Sequence, residues 1–205
     1  AIDNNTCDGS TAGTGALTLN GVVAGDAIGT AGSTFTFADK NAGTGKAVAI
    51  SGTTLAGADS GNYTLVVPAS ALADILKKAL TATVTADGKT YDGTTAATGT
   101  VALHGVVGGD AVGTTGTGFA FADKNAGTGK AVNVTGTTLT GADSGNYTLT
   151  VPATALADIL KKALTASVTA DSKTYHGTTA PSGHVAWNGV VVGDTVGTTG
   201  SVFTF

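Results

Sequence analysis

The chain has 205 residues, a net charge of −4 from 14 Asp and 10 Lys, 32 Gly, and no Met, Arg, Glu or Gln. Its mildly acidic, thinly spread charge argues against a nucleic-acid partner, which would require a basic stripe, and gives no patch for a membrane surface. A hydrophobic fraction of 41% suffices for packed cores, no apolar run is long enough to span a bilayer, and the single cysteine excludes an internal disulfide.

Taken in chain order, the first notable element is "NTCDGST" (Asn5–Thr11), a degraded copy of "KTYDGTT" (Lys89–Thr95) and "KTYHGTT" (Lys173–Thr179). The tyrosines Tyr91 and Tyr175 lie 175 − 91 = 84 residues apart, and the same offset links Tyr63 to Tyr147, Phe37 to Phe121 to Phe205, and Asp39 to Asp123. The chain is therefore a tandem repeat. Its period is longer than a solenoid unit and long enough for each copy to own a core. The expected units are 1–79, lacking a first strand, 80–163, complete, and 164–205, an N-terminal half. Ala1 opens directly onto polar residues, which reads as a mature or excised piece without a signal peptide.

Within a unit the pattern has period two, which predicts strands. Phe35 and Phe37 share a face, as do Val48 and Ile50, and Tyr63, Leu65 and Val67. Residues 41–80 and 125–164 differ at only 6 of 40 positions. Val66 becomes Thr150 and Ala49 becomes Asn133 on one face, while Ile50, Leu65 and Val67 keep apolar counterparts on the other. Such alternation predicts an antiparallel sandwich with one free face. "KNAGTG" and "GADSGN" read as hairpin turns. In Ser70–Leu80, Leu72, Ile75, Leu76 and Leu80 have helical spacing, but strand, hinge at Lys77–Lys78 and strand is the preferred reading.

These segments in this order, "LTATVTADGKTYDGTT", "FADKNAGTGK" and "LTGADSGNYTLTVPA", closely resemble the YDG-type repeat domain, a relative of MBG repeats, along essentially the whole chain. The resemblance implies an all-β fold of tandem antiparallel β-sandwich or β-grasp-like domains of about 84 residues, joined end to end, with a short helix or a hinge at the junctions. It further implies secretion to the bacterial cell surface as part of a filamentous-haemagglutinin-type adhesin. There the repeats form a stalk or filament in cell adhesion and biofilm. The expected partners are the neighbouring repeats, other copies in a fibre, and a host or matrix glycan or protein; nucleic acid and membrane insertion are not expected. The alternatives are a glycan- or protein-binding module using Thr/Asn/Asp loops, and a fibre subunit that completes its sheets between chains.

Candidate sites weigh against catalysis. Tyr91 and Asp92 form an acid/base pair on paper, but Cys7 replaces the tyrosine and His176 the aspartate, so turn chemistry is the better explanation. "NAGTGK" (Asn41–Lys46, Asn125–Lys130) fails the phosphate-loop pattern. Asp59, Ser60 and Asn62, with Asp39 or Asp26 nearby, offer few carboxylates for calcium. His104, His176 and His184 do not recur at one repeat position, which argues against zinc. Trp187 takes a leucine position and reads as core. Lys46 and Lys130 are the lysines considered for a Lys–Asn cross-link, and Asn62, Asn133 and Asn146 stand in glycosylation triplets. No catalytic residue, metal site or cofactor is expected, and the chain is not expected to be an enzyme.

Overall fold

The computed structural model describes residues 1–197 and residue 199. Phe205, the third phenylalanine of the repeat series, lies outside them. The first repeat supplies β1 (Asn5–Thr6), β2 (Ala12–Gly13), β3 (Gly29–Ala31), β4 (Thr34–Phe37), β5 (Gly43–Ser51), β6 (Thr54–Ala56) and β7 (Ser70–Leu76). The second supplies β8 (Lys78–Ala86), β9 (Lys89–Thr90), β10 (Gly99–His104), β11 (Gly113–Thr115), β12 (Gly118–Phe121), β13 (Gly127–Thr135), β14 (Thr138–Thr140), β15 (Tyr147–Thr150) and β16 (Thr154–Leu160). The third adds β17 (Thr165–Ala170) and β18 (Gly183–Asn188). The all-β expectation holds among the described residues, whose helical segments are two three-residue 3₁₀ turns, Ser60–Asn62 and Ser144–Asn146.

The ambiguous Ser70–Leu80 segment is strand, break at Lys77, and strand. Its apolar residues do not share a helical face. In the pleat, Ala73 and Ile75 turn inward and Leu72 and Leu76 outward, the latter two 69% and 50% exposed. The sheets are mixed rather than purely antiparallel. β1 runs parallel to β7, β9 to β16 and β15 to β8. A strand that rejoins its sheet after a long excursion, as β7 does beside β1, is free to run in the same direction as its neighbour, whereas a tight hairpin forces reversal.

Two compact units form, and they do not follow the sequence period. The first comprises residues 1–83, 101–117 and 136–151. It holds the sheet β1-β7-β5-β4-β2, the pairs β3-β6 and β11-β14, and most of the sheet β10-β8-β15. Phe35, Phe37, Val48, Ala73 and Ile75 form its larger core, with Cys7 among them. Phe35 and Phe37 sit opposite Ile50 and Val48 in the β4–β5 hairpin, as the period-two reading requires. The second unit comprises residues 84–100, 118–135 and 152–205. It holds the sheet β12-β13-β16-β9 and the pair β17-β18, around Phe121, Val132, Ala157 and Ile159.

"KNAGTG" is a hairpin connection, since residues 38–42 join the antiparallel strands β4 and β5. "GADSGN" is not. Gly141–Asn146 links β14, paired with β11, to β15, paired with β8, so it carries the chain from one sheet to another through a 3₁₀ turn. Trp187 lies on the half-buried face of β18 with Val185, opposite Ala166 of β17.

Candidate functional site: the joint between consecutive repeats

In each repeat the signature heptapeptide builds a turn. Asp92 Oδ1 accepts from the Thr94 amide at 2.9 Å, and Gly93 follows at φ +80°, a conformation open to glycine. Asp8 does the same for Ser10 at 2.8 Å, and in the third copy His176 Nδ1 pairs with the Thr178 hydroxyl at 3.1 Å. Lys89 Nζ adds bonds to Asp92 and to the carbonyls of Thr94 and Ala96. Lys89 and the Thr94 turn together hold the Asp92 carboxyl down at about 2. A carboxyl depressed on folding contributes stability above its ordinary range near 4 and loses it as pH falls toward 2. Acid titration of unfolding should therefore show a stability loss between about pH 4 and pH 2 that Asp92→Asn reduces.

The turn also faces outward, toward the following repeat. A side chain on Gly9 would approach Val107 Cγ1 to 2.7 Å, and one on Gly93 would approach Val191 Cγ1 to 2.7 Å. Glycine is thus required twice over: for its backbone, and because the next repeat's valine lies against it. Tyr91 packs on the core cluster of the second unit, and its hydroxyl donates to Asp194 Oδ2 at 2.7 Å. Lys124 reaches the other oxygen of Asp194 at 3.5 Å. Tyr91 and Asp194 hold the Lys124 ammonium above its usual range, and the bond to Asp194 likewise raises Tyr91.

The first unit repeats this arrangement with one exchange. Lys40 Nζ bonds Asp110 Oδ1 at 2.7 Å, and Tyr147 Oη donates to Asp110 Oδ2 at 2.6 Å while accepting from the Val107 amide at 3.0 Å. The Asp110 side chain is 1% exposed, and Lys40 followed by Tyr147 keeps its carboxyl below the ordinary range. Cys7 stands where the tyrosine would be, 2% exposed, with Sγ 3.7 Å from the Lys40 carbonyl. It fills the core position without reaching Asp110. Beside it, Asn146, 5% exposed, accepts from the Ala42 amide at 2.9 Å and donates to Asn41 Oδ1 at 3.2 Å. The Lys40–Asp110 and Asn146–Ala42 bonds join residues 70 and 104 positions apart, from adjoining repeats.

Tyr147→Phe removes a buried donor and leaves the Val107 amide and Asp110 short of a partner. The expected cost is about 1–2 kcal/mol in the first unit, read by urea unfolding. Asp110→Asn should lower the melting temperature as well, since it uncouples Lys40.

The other candidate residues are accounted for locally. Asp59 Oδ2 accepts from the Ala27 amide at 2.7 Å and Asp143 Oδ2 from Ala111 at 2.8 Å, so these carboxylates fasten the "GADSGN" loop. Asp26 accepts from the Tyr63 hydroxyl at 2.6 Å. The structure brings Asp26 and Asp59 to neighbouring anchor points and pairs Asp39 instead with Lys46. Among the described residues no group of three or more His, Cys or Asp is placed to hold a metal ion. Lys130 bonds Asp123 at 2.7 Å. Asn62 and Asn146, from the glycosylation triplets, lie in 3₁₀ turns, and Asn146 is buried. His104 pairs with the Thr83 hydroxyl and His184 lies 4.0 Å from Asp171.

Sequence reasoning did not pick out Lys40, Val107, Asp110 or the buried role of Asn146. Their signal was present: Asp26, Asp110 and Asp194 recur at the repeat spacing, and so do Lys40 and Lys124.

The fold and this joint define a tandem all-β repeat whose recurring polar residues fasten copy to copy. The chain belongs to the YDG domain family, whose family model matches residues 4–71 and 76–155 in tandem. Comparison with curated proteins and with solved structures finds no match.

Proposed function

We propose that this chain is a structural repeat segment of an extracellular bacterial adhesin stalk or surface filament. The observation that carries the reading is the use made of the repeated polar side chains. Lys40 with Asp110 and Ala42 with Asn146, and again Tyr91 and Lys124 with Asp194, bond one repeat to the next. Residues committed in this way transmit tension along a chain, and membership of a tandem repeat family fits that role. Buried charge-assisted bonds and parallel strand pairing resist sliding, so survival under pull is set by the unfolding rate. The proposal assigns the chain no catalysis.

Single-molecule pulling on an array of this sequence tests it. Evenly spaced unfolding events are expected, each releasing about 30 nm for an 84-residue repeat. Smooth extension without force peaks would sink the mechanical role. Antibody labelling of intact producing cells checks location: surface staining is expected, and staining only after lysis would refute it.

A further inference from the structure

The first two repeats each turn one bare sheet face to solvent. On β7 the outward positions include Leu72, Asp74 and Leu76, and the leucines are 69% and 50% exposed. The same positions of β16 are Leu156, Asp158 and Leu160, with the leucines 69% and 58% exposed. One exposed leucine is ordinary; a pair on one strand, in both repeats, marks a surface that meets something. Neighbouring repeats do not cover these faces. The first has the whole second repeat after it and the second has residues 1–79 before it, and both stay open.

Beside each leucine ridge runs a shelf of small residues. Leu72 pairs in register with Ala47 of β5, and Leu156 with Ala131 of β13. Ala47 and Ala131 are exposed, and a side chain on Gly45 or Gly129 would meet no atom within 4 Å. Thr34 and Thr36 of β4 extend the first shelf. Asp74, the charged residue on this side, accepts from the Gly45 amide at 2.8 Å, as Asp158 does from Gly129 at 2.7 Å. The outward positions of β4, β5 and β7 carry no aromatic ring to stack on a sugar and no lysine to hold an anion.

The size of the face limits what can hold it. The sheet β12-β13-β16-β9 has four strands about 4.8 Å apart, and β16 runs seven residues of about 3.3 Å, which gives roughly 400 Å². A stable pair of proteins buries about 800 Å² per partner. One face is too small for a partner that touches it alone. Durable docking therefore requires an occupant that presents the same element again at every repeat. Another copy of this chain has that period and the matching surface.

We propose that the outward face of β5 and β7, repeated at β13 and β16, is a lateral docking surface, and that its occupant is the same face of a second copy. A two-fold axis running along the strands between β5 and β7 sets each Leu72 over the partner copy's shelf at Ala47, since the two residues lie level in the sheet. Asp74 then comes over Gly45, where no side chain competes for space and the carboxylate keeps its bond and its water. Ridge meets shelf on both sides, as an isologous contact demands. A single contact of this size is weak, and repetition from repeat to repeat strengthens it without any new kind of contact. The inference stands on the two faces alone, whether or not the protein serves as a stalk.

Sedimentation velocity of the full chain, over a concentration series into the millimolar range, should show reversible self-association. Leu72→Asp combined with Leu156→Asp should abolish it and leave the melting temperature nearly unchanged, because both side chains are already exposed. Either change alone should weaken association about tenfold, the factor for burying the remainder of one leucine. Ala47→Glu combined with Ala131→Glu loads the shelf instead and should act in the same way, which keeps the test sound if aspartate disturbs β7 or β16. Chains carrying Leu72→Cys, mixed with chains carrying Ala47→Cys and treated with oxidised glutathione, should join through a disulfide between copies, while the buried Cys7 stays free. A chain that remains monomeric at every concentration would overturn the proposal. Association untouched by both the leucine and the alanine variants would overturn it as well, since the copies would then meet elsewhere.

Discussion

Leu80→Ala is expected to remove about 3 kcal/mol from the first compact unit, while the same change at Leu164 removes about 1 kcal/mol or less. The two leucines share their sequence surroundings, K-A-L-T-A, in adjoining repeats. They differ in what lies over them. Leu80 is 1% exposed between β10 and β15, and its Cδ2 lies 3.6 Å from the position a side chain on Gly105 would take. Leu164 is only half-buried, with β18 beside its strand. Truncating Leu80 loses both transfer free energy and packing around the cavity left behind; truncating Leu164 loses part of the first term alone. Urea unfolding reads both, with an unchanged slope for each variant showing that stability rather than compactness has moved. Equal costs would mean that β15 contributes nothing to the cover of β8.

That contrast also shows what a sequence of this kind reveals. Alternation in "FTF" and "AVAI" was enough to place Phe35, Phe37 and Val48 inside, because a strand assigns faces residue by residue. The break near Lys77 was legible for the same reason: strand neighbours on both sides outweighed four apolar residues at helical spacing. Strand direction was not legible. Parallel pairing of β15 with β8 joins Tyr147 to Lys78 across 69 residues, and nothing local encodes it. The joint was missed for a related reason. Lys40, Asp110 and Asn146 are unremarkable surface-type residues in their own loops, and acquire meaning only when adjoining repeats are folded together. The exchange of Tyr91 for Cys7 argued for a turn rather than a reacting pair. What it could not convey is that the tyrosine's partner, Asp194, belongs to the next repeat, and that in the other joint Tyr147 already bonds the equivalent Asp110.

Gly141→Ala should be among the most damaging single substitutions, on the order of 3 kcal/mol or more, whereas Gly145→Ala four residues on should be nearly neutral. Gly141 has φ +107°, and an added Cβ would lie 2.2 Å from the Ala111 carbonyl oxygen, a backbone atom that cannot swing aside. Gly145 has no atom within 4 Å of its added Cβ. The damage should spread along a defined route. Ala111 and Asp143 hold each other through Asp143 N to Ala111 O at 3.2 Å and Ala111 N to Asp143 Oδ2 at 2.8 Å. Pushing Gly141 off Ala111 breaks that pair and loosens the Ser144–Asn146 turn it anchors. Asn146 then no longer holds the Ala42 amide, nor Tyr147 the Asp110 carboxylate. Hydrogen exchange resolves the order of events: in Gly141→Ala, the Ala42 amide should lose protection under conditions where the core strand amides around Val48 keep theirs. Retained protection at Ala42 would show that the joint does not depend on the "GADSGN" loop. The loop would then be a connector between sheets, and the seating of Asn146 would have to come from β15 alone.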